Sequence, residues 1–245
     1  MDEPIFSEPE LPSVPWHRAD LAAFAGFFLA TVLVLPLAVF FLFRLFLGSG
    51  ATVPSGLEII LAQALIDIAV VGFICFVIRL HGLPILRTLR WVRPPNVHVG
   101  KLILTGAFLA ITVLLASSLF PSPEESALDK LLTTPASIAA FVILGIVVAP
   151  VMEEIMFRGF LYTVLADLYG PGLAVPVTSL AFAGLHFLQL WGNWPAMFLI
   201  LVVGYILTNV RKRSDSLIPS VIMHTAYNSM IFGISALSML LERSS

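Results

Sequence analysis

The chain has 245 residues, of which 59% are apolar and 11% are charged. Soluble domains average about 45–50% apolar and about 25% charged residues, so the composition argues against a soluble enzyme, a disordered chain and a collagen-like fibre. Between the charged residues lie uncharged stretches of about 20 residues, the length at which a helix crosses the core of a bilayer. The composition therefore predicts a polytopic integral membrane protein.

The N-terminal residues differ in character from the rest of the chain. They combine five acidic residues with four prolines and a single arginine in the first 20 positions. We therefore expect residues 1–19 to form a disordered acidic tail. Cys75 is the single cysteine, which excludes an intrachain disulfide and a cysteine-based metal site. No basic stripe is large enough to indicate nucleic-acid binding.

Seven apolar segments follow in chain order: 21–47, 57–80, 101–120, 137–157, 172–190, 194–210 and 217–241. Their apolar residues are continuous rather than alternating, which predicts helices and not the strands of a barrel. Residues 158–169 are apolar enough to form a further partial or interfacial helix. The predicted fold class is all-α, a polytopic transmembrane bundle of seven or eight helices. Residues 20–100 form its N-terminal membrane helices and residues 101–241 its membrane core.

Basic residues indicate how the bundle is oriented. They cluster in the loops after the second and sixth segments: Arg79, Arg87, Arg90, Arg93 and Lys101, then Arg211, Lys212 and Arg213. Basic loops stay in the cytoplasm, so we expect a cytoplasmic N-terminus. The short chain and minimal loops indicate the inner membrane of a bacterium.

Asp67 is an ionisable residue inside the second apolar segment. Ionisable residues in membrane spans are costly and are functional candidates by default. Gln63 lies four residues earlier on the same helix face, so the two side chains can hydrogen-bond to each other or to a neighbouring helix. We favour this structural role for Asp67 over a catalytic one.

The fourth segment ends in the strongest polar cluster, Glu153-Glu154-x-x-x-Arg158. Glu154 and Arg158 are four residues apart, so a helix places them on one face as an ion pair. Glu153 points about 100° away and stays outside that pair. A carboxylate without a cationic partner is suited to act as a general base on water. Pro150 lacks an N–H and predicts a kink or a restart of the helix just upstream.

Two further polar motifs lie in later segments, Phe182-x-x-x-His186 and His224-x-x-x-Asn228. A single histidine in an apolar helix is more often a packing residue than a catalyst, and polar residues often join membrane helices. His224 and Asn228 share one helix face and could both donate to a developing oxyanion. The three motifs in this order, each within a hydrophobic helix, form a specific pattern.

This pattern resembles the CPBP (Abi) family of intramembrane proteases, which contains the type II CAAX prenyl endopeptidases and bacteriocin-processing relatives. The family motifs are Glu-Glu-x-x-x-Arg, Phe-x-x-x-His and His-x-x-x-Asn/Asp, and the chain matches all three. The resemblance covers roughly residues 100–240 and implies that the membrane core, residues 101–241, is catalytic.

The resemblance implies a role for each motif residue. Glu153 and His186 would activate the attacking water. His224 and Asn228 would form the oxyanion hole for the tetrahedral intermediate. The remaining motif residues would support the site: Glu154, Arg158 and Phe182.

The resemblance leaves the cofactor open, because the family has been described both as zinc metalloproteases and as metal-independent glutamate proteases. Glu153, His186 and His224 could bind Zn²⁺, since three protein ligands plus water are the usual catalytic set. The sequence has no His-Glu-x-x-His spacing to place two histidines on one helix turn. We therefore favour direct activation by Glu153 and His186 and keep zinc as the alternative.

Three functions remain open at this point. The leading hypothesis is an intramembrane endopeptidase that acts on membrane-embedded or lipid-anchored proteins or peptides. The second is a non-catalytic scaffold or bacteriocin-immunity protein of the same fold, and the third is a transporter that relays protons through Asp67, Glu153 and the histidines. The intact motifs favour the enzyme, because a scaffold has no chemical need for Glu153 or His186.

Overall fold

The computed structural model of the chain describes residues 16–47, 55–94, 97–120, 134–187 and 189–244. Within these ranges all regular structure is helical. Eight helices follow one another in the described ranges: α1 (Arg18–Leu47), α2 (Gly56–Leu80), α3 (Ile85–Thr88), α4 (Val99–Ser117), α5 (residues 135–169), α6 (Pro171–Leu185), α7 (Trp194–Ser214) and α8 (Ile218–Ser244). The predicted all-α class of seven or eight helices is confirmed.

Five helices among the described residues are long and apolar enough to cross a membrane. Their spans are Arg18–Phe46, Gly56–Leu80, Val99–Ser117, Ala136–Tyr169 and Trp194–Ser214. α6 is a shorter apolar helix of 15 residues. Each of the five spans overlaps one of the predicted apolar segments, and α6 and α8 occupy the other two. The protein is an integral membrane protein built as a helical bundle.

α5 runs without a break from residue 135 to residue 169 and contains two π-helical stretches, Leu144–Val148 and Ile155–Leu161. The first lies just before Pro150, and its wider turn accommodates a proline that an α-helix tolerates poorly. The helix therefore neither stops nor restarts there. The expectation that residues 158–169 form a separate partial helix is wrong, because they continue α5 to its end.

Two buried apolar clusters hold the helices together. One joins α1, α2, α5 and α6 and includes Val70, Phe160 and Phe182. The other joins α4, α7 and α8 and includes Leu207 and Met223. Phe182 belongs to the second motif and Met223 directly precedes His224, so the polar motifs connect the two apolar clusters.

Two glycines permit close approaches between helices. Gly170, at φ 82°, is the single residue between α5 and α6 and adopts a left-handed conformation that favours glycine. Gly106 in α4 faces the backbone of Met223 in α8. A Cβ at Gly106 would collide with the Met223 carbonyl oxygen and lie 3.0 Å from the Ala226 Cβ. α4 and α8 therefore touch through their backbones.

The facing ends of α1 and α2 are joined by an ion pair. Arg44 Nη1 lies 2.7 Å from Glu58 Oε1, and the guanidinium lies 4.2 Å from the ring centroid of Phe40. Glu58 Oε2 accepts a hydrogen bond from the Ser55 N–H, and the Ser55 hydroxyl accepts one from the Glu58 N–H. These reciprocal bonds form a capping box at the start of α2.

The predicted tail, residues 1–19, lies mostly outside the described residues. Its last part belongs to the bundle, since Trp16 is buried against His81 and Phe160 and α1 begins at Arg18. The predicted boundary therefore placed the start of the folded region a few residues too late.

Candidate active site

Arg158 is the centre of a buried polar cluster. Its Nη1 donates to Glu154 Oε1 at 2.9 Å, and both side chains are fully buried. Its Nη2 donates to the carbonyl oxygen of Gly204 at 3.0 Å, and its Nε donates to Thr208 Oγ1 at 3.2 Å. The guanidinium lies 4.3 Å from the ring centroid of Phe182, a favourable cation–π distance. The predicted ion pair between Glu154 and Arg158 is confirmed, and α7 contributes two further bonds.

Gly204 allows α6 and α7 to pack closely around Arg158. A Cβ at Gly204 would lie 3.0 Å from Phe182 Cδ1, 3.3 Å from the Ser179 carbonyl oxygen and 3.6 Å from Arg158 Nη2. Sequence reasoning missed both Gly204 and Thr208. Two small residues four positions apart in a membrane helix are a known signal of close helix packing, and that spacing could have identified them.

Glu154 connects Arg158 to His224. The same oxygen that accepts from Arg158 lies 2.9 Å from His224 Nδ1. A carboxylate can only accept, so Nδ1 carries the hydrogen. This bond fixes the orientation of the imidazole and turns its Nε2 away from Glu154.

Glu153 lies on the opposite side of the same imidazole. Its Oε2 is 3.7 Å from His224 Nε2, which is within the range of an ion pair but too long for a hydrogen bond. The Glu153 side chain is 13% exposed, whereas that of Glu154 is fully buried. As predicted, one of the two neighbouring carboxylates is paired with Arg158 and the other is outside that pair.

His186 directly follows the last residue of α6. Its Nδ1 donates to the Phe182 carbonyl oxygen at 3.1 Å, and its ring lies 5.1 Å from the Phe182 ring. The Phe182 ring lies 5.7 Å from that of His224, so Phe182 stands between the two histidines. Among the described contacts, no hydrogen bond or ion pair joins His186 to Glu153. The prediction paired these two residues, but the histidine beside Glu153 is His224.

Asn228 contacts the π-helical part of α5. Its Nδ2 donates to the carbonyl oxygen of Gly145 at 3.0 Å. Asn228 and His224 are one helical turn apart on α8, so both bond to α5. This bond fixes how α8 is rotated against α5, while the predicted oxyanion role of Asn228 stays a prediction.

The fit of the side chains to a metal ion can be tested directly. Within the described residues, no group of three or more His, Cys, Asp or Glu side chains is placed to hold one. Of the predicted zinc ligands, Glu153 and His224 are neighbours, but His186 is bonded to the Phe182 carbonyl. The donors as they stand do not fit a three-ligand zinc site, and zinc stays a prediction.

A bundle of apolar helices that encloses a Glu–Arg–His cluster defines a polytopic membrane protein with a polar site inside its membrane core. Residues 135–230 match the family model of the Rce1-like proteins, described as type II CAAX prenyl endopeptidase Rce1-like. This match confirms the resemblance based on the motifs and supports a protease in general terms. No curated protein and no solved structure matches the chain. The matched segment contains every motif residue: Glu153, Glu154, Arg158, Phe182, His186, His224 and Asn228.

Proposed function

We propose that the protein is an intramembrane endopeptidase that hydrolyses peptide bonds of membrane-embedded or lipid-anchored proteins or peptides. One observation carries this proposal: the His224 imidazole lies between two carboxylates, 2.9 Å from Glu154 and 3.7 Å from Glu153. The first carboxylate orients the ring, and the second is close enough to act on the same reacting atoms. The endopeptidase description of the matching family supports the reaction class.

In the proposed reaction, Glu153 accepts a proton from a water molecule. The oxygen of that water attacks the carbonyl carbon of the substrate and forms a C–O bond, while the carbonyl electron pair moves to its oxygen. His224 stabilises the oxyanion through its Nε2, the ring nitrogen that the bond to Glu154 leaves available. Such a donor is effective because it is oriented before the reaction begins.

The tetrahedral intermediate then collapses. The C–N bond breaks, and Glu153 returns its proton to the leaving nitrogen, so that the products are a carboxylic acid and an amine. We retain Asn228 as a second oxyanion donor. In that role its Nδ2 would leave the carbonyl oxygen of Gly145 and donate to the substrate oxygen instead. We also retain His186 as a partner in water activation, which would require its ring to turn towards Glu153 from the Phe182 carbonyl.

Three residues support this site without touching the substrate. Glu154 holds the imidazole of His224, Arg158 neutralises Glu154, and the ring of Phe182 covers the guanidinium. We further propose that the protein lies in the inner membrane of a bacterium with its N-terminus in the cytoplasm, as the basic loops indicate.

The test compares the N-termini of membrane proteins in cells that express the wild type, Glu153→Gln or Asp167→Asn. Asp167 is an exposed carboxylate on the same helix and serves as the matched control. We expect a new N-terminus with the wild type and with Asp167→Asn, and its loss with Glu153→Gln. Cleavage that persists in Glu153→Gln would contradict the proposal, and full cellular function of that variant would favour a scaffold.

A chelator tests the metal question in the same assay. Because the described side chains do not form a three-donor set, we expect cleavage by purified protein to continue in the presence of a strong zinc chelator. Loss of cleavage that added zinc restores would instead support a metalloprotease.

A further inference from the structure

A small cavity lies between α1 and α2. Its volume is about 120 Å³, and it is lined by Pro36 and Phe40 from α1 and by residues of α2 that include Glu58 and Gln63. A water molecule occupies about 30 Å³ in the liquid, so the cavity has room for a short file of waters. Its carboxylate and amide provide the polar partners that a buried water needs.

Gln63 connects this cavity to the interior of the bundle. Its side chain lines the cavity, and its Nε2 donates to Asp67 Oδ1 at 2.8 Å. The predicted bond between these two residues is confirmed. An amide in a membrane span is costly when it faces lipid and is satisfied when it faces water. The position of Gln63 therefore favours water in the cavity.

Asp67 in turn faces the candidate site. It is only 2% exposed, and α2 contacts the stretch Ala149–Glu154 of α5, which contains Glu153. The neighbours of Asp67 on α2, Ile66 and Val70, belong to the same buried cluster as Met156 on α5. Asp67 therefore lies between the cavity and the Glu153 side of the site.

We propose that this cavity supplies the water that Glu153 activates, and that Asp67 is a positioning residue that holds this water. The inference rests on the proposed endopeptidase function and adds the source of its second substrate. Hydrolysis in a membrane core consumes one water per bond, so a polar route through apolar helices is required. The route runs from Glu58 at the start of α2 through Gln63 to Asp67, a distance of about 14 Å along the helix at 1.5 Å per residue.

Cysteine labelling tests the water route without any need for proteolysis. In a Cys75→Ser background, which has no other cysteine, Gln63→Cys and the matched control Leu65→Cys are exposed to a charged methanethiosulfonate in native membranes. Leu65 is exposed on the same helix but is not among the residues that line the cavity. Thiols react as thiolates, which form in water, so we expect Gln63→Cys to react roughly tenfold faster or more. Equal rates would overturn the proposal.

Activity measurements test the role of Asp67. Asp67→Asn keeps the shape and the acceptor for Gln63 but removes the negative charge, whereas Asp67→Ala removes both. If Asp67 positions water, we expect kcat to fall about tenfold in Asp67→Asn with KM unchanged, at wild-type thermal stability. Wild-type kcat in Asp67→Asn would overturn this role and leave the endopeptidase proposal intact. The labelling rates do not depend on cleavage. Cleavage that persists in Glu153→Gln therefore contradicts the endopeptidase proposal, whereas equal labelling rates contradict the water route.

Discussion

Two regions of the bundle contain similar Arg–Glu pairs in different surroundings. Arg44 and Glu58 join α1 to α2 at 2.7 Å, and Arg158 and Glu154 pair within α5 at 2.9 Å. Each guanidinium also lies over a phenylalanine ring, at 4.2 and 4.3 Å. The local geometry of the two pairs is therefore nearly the same.

Their environments differ in depth and in connections. Glu58 uses its second oxygen to cap its own helix, whereas Glu154 uses the oxygen bonded to Arg158 to hold His224 on α8. Arg158 additionally bonds to α7 through a backbone carbonyl and a hydroxyl. An Arg–Glu pair thus joins two helix ends in one region, and a pair of the same kind positions a candidate catalytic imidazole in the other.

The largest expected difference in stability between the two regions comes from replacing the arginine of each pair. Arg158→Met leaves the fully buried Glu154 without its partner, and we expect the free energy of unfolding to fall by about 3–5 kcal/mol. Arg44→Met also leaves a buried carboxylate, but Glu58 keeps its bond from the Ser55 N–H at a helix start, so we expect a smaller loss of about 1–3 kcal/mol. Unfolding in detergent micelles measures both, and equal losses would show that the bond from Ser55 does not distinguish the pairs.

Of the two neighbouring glutamates, we expect Glu154 to affect mainly stability and Glu153 mainly activity. Glu154→Gln weakens its bonds to both Arg158 and His224, so we expect a loss of about 2–3 kcal/mol. Glu153→Gln changes a partly exposed side chain that makes no hydrogen bond within the described part of the chain, and we expect a change within about 0.5 kcal/mol. It should still reduce cleavage roughly 10²- to 10⁴-fold, as expected for loss of a general base. A large stability loss in Glu153→Gln would remove this distinction.

Two glycine substitutions compare packing in the same regions. Gly204→Ala places a methyl group against Phe182 and the Ser179 carbonyl, and we expect a cost of about 1–2 kcal/mol. Gly72→Ala in α2 meets no atom of the described residues within 4 Å, so we expect stability to be unchanged or to rise by up to about 1 kcal/mol. Thermal unfolding of both variants is the measurement. A neutral Gly204→Ala would show that α6 and α7 separate easily.

Small effects are expected at two helix caps. Ser55 caps α2, and Thr134 caps α5 through a similar reciprocal pair with Ser137. We expect Ser55→Ala and Thr134→Ala each to cost about 0.5–1 kcal/mol, because a cap acts only on its own first turn. Amide hydrogen exchange at the two helix starts measures this. Unequal effects would mean that one cap also supports contacts between helices.

Local pairs on one helix were predictable from the sequence. Glu154 with Arg158 and Gln63 with Asp67 are each four residues apart, and the periodicity of a helix alone brings them together. The position of Glu153 outside the ion pair follows from the same geometry. The family resemblance added which helices carry the remaining polar residues.

Contacts between helices were not predictable in the same way. Whether His186 or His224 lies beside Glu153 depends on how α6 and α8 are rotated and shifted against α5, which packing decides. The wrong prediction of a separate helix for residues 158–169 also arose from a contact that the apolar pattern does not show. Arg158 interrupts the apolar pattern and suggests a helix end, but Glu154 neutralises it within the helix and α5 continues.

The backbone contact at Gly106 also restricts how the bundle can move. α4 has no motif residue, yet it touches α8 at Met223, directly before His224. A displacement of α8 towards α4 is therefore blocked at this point by direct backbone contact. A substrate chain in the membrane cannot pass between α4 and α8 at the level of Gly106, so a substrate that enters laterally must pass between other helices. α4, which contributes no motif residue, thereby constrains both the position of the His224 imidazole and the direction from which a substrate approaches.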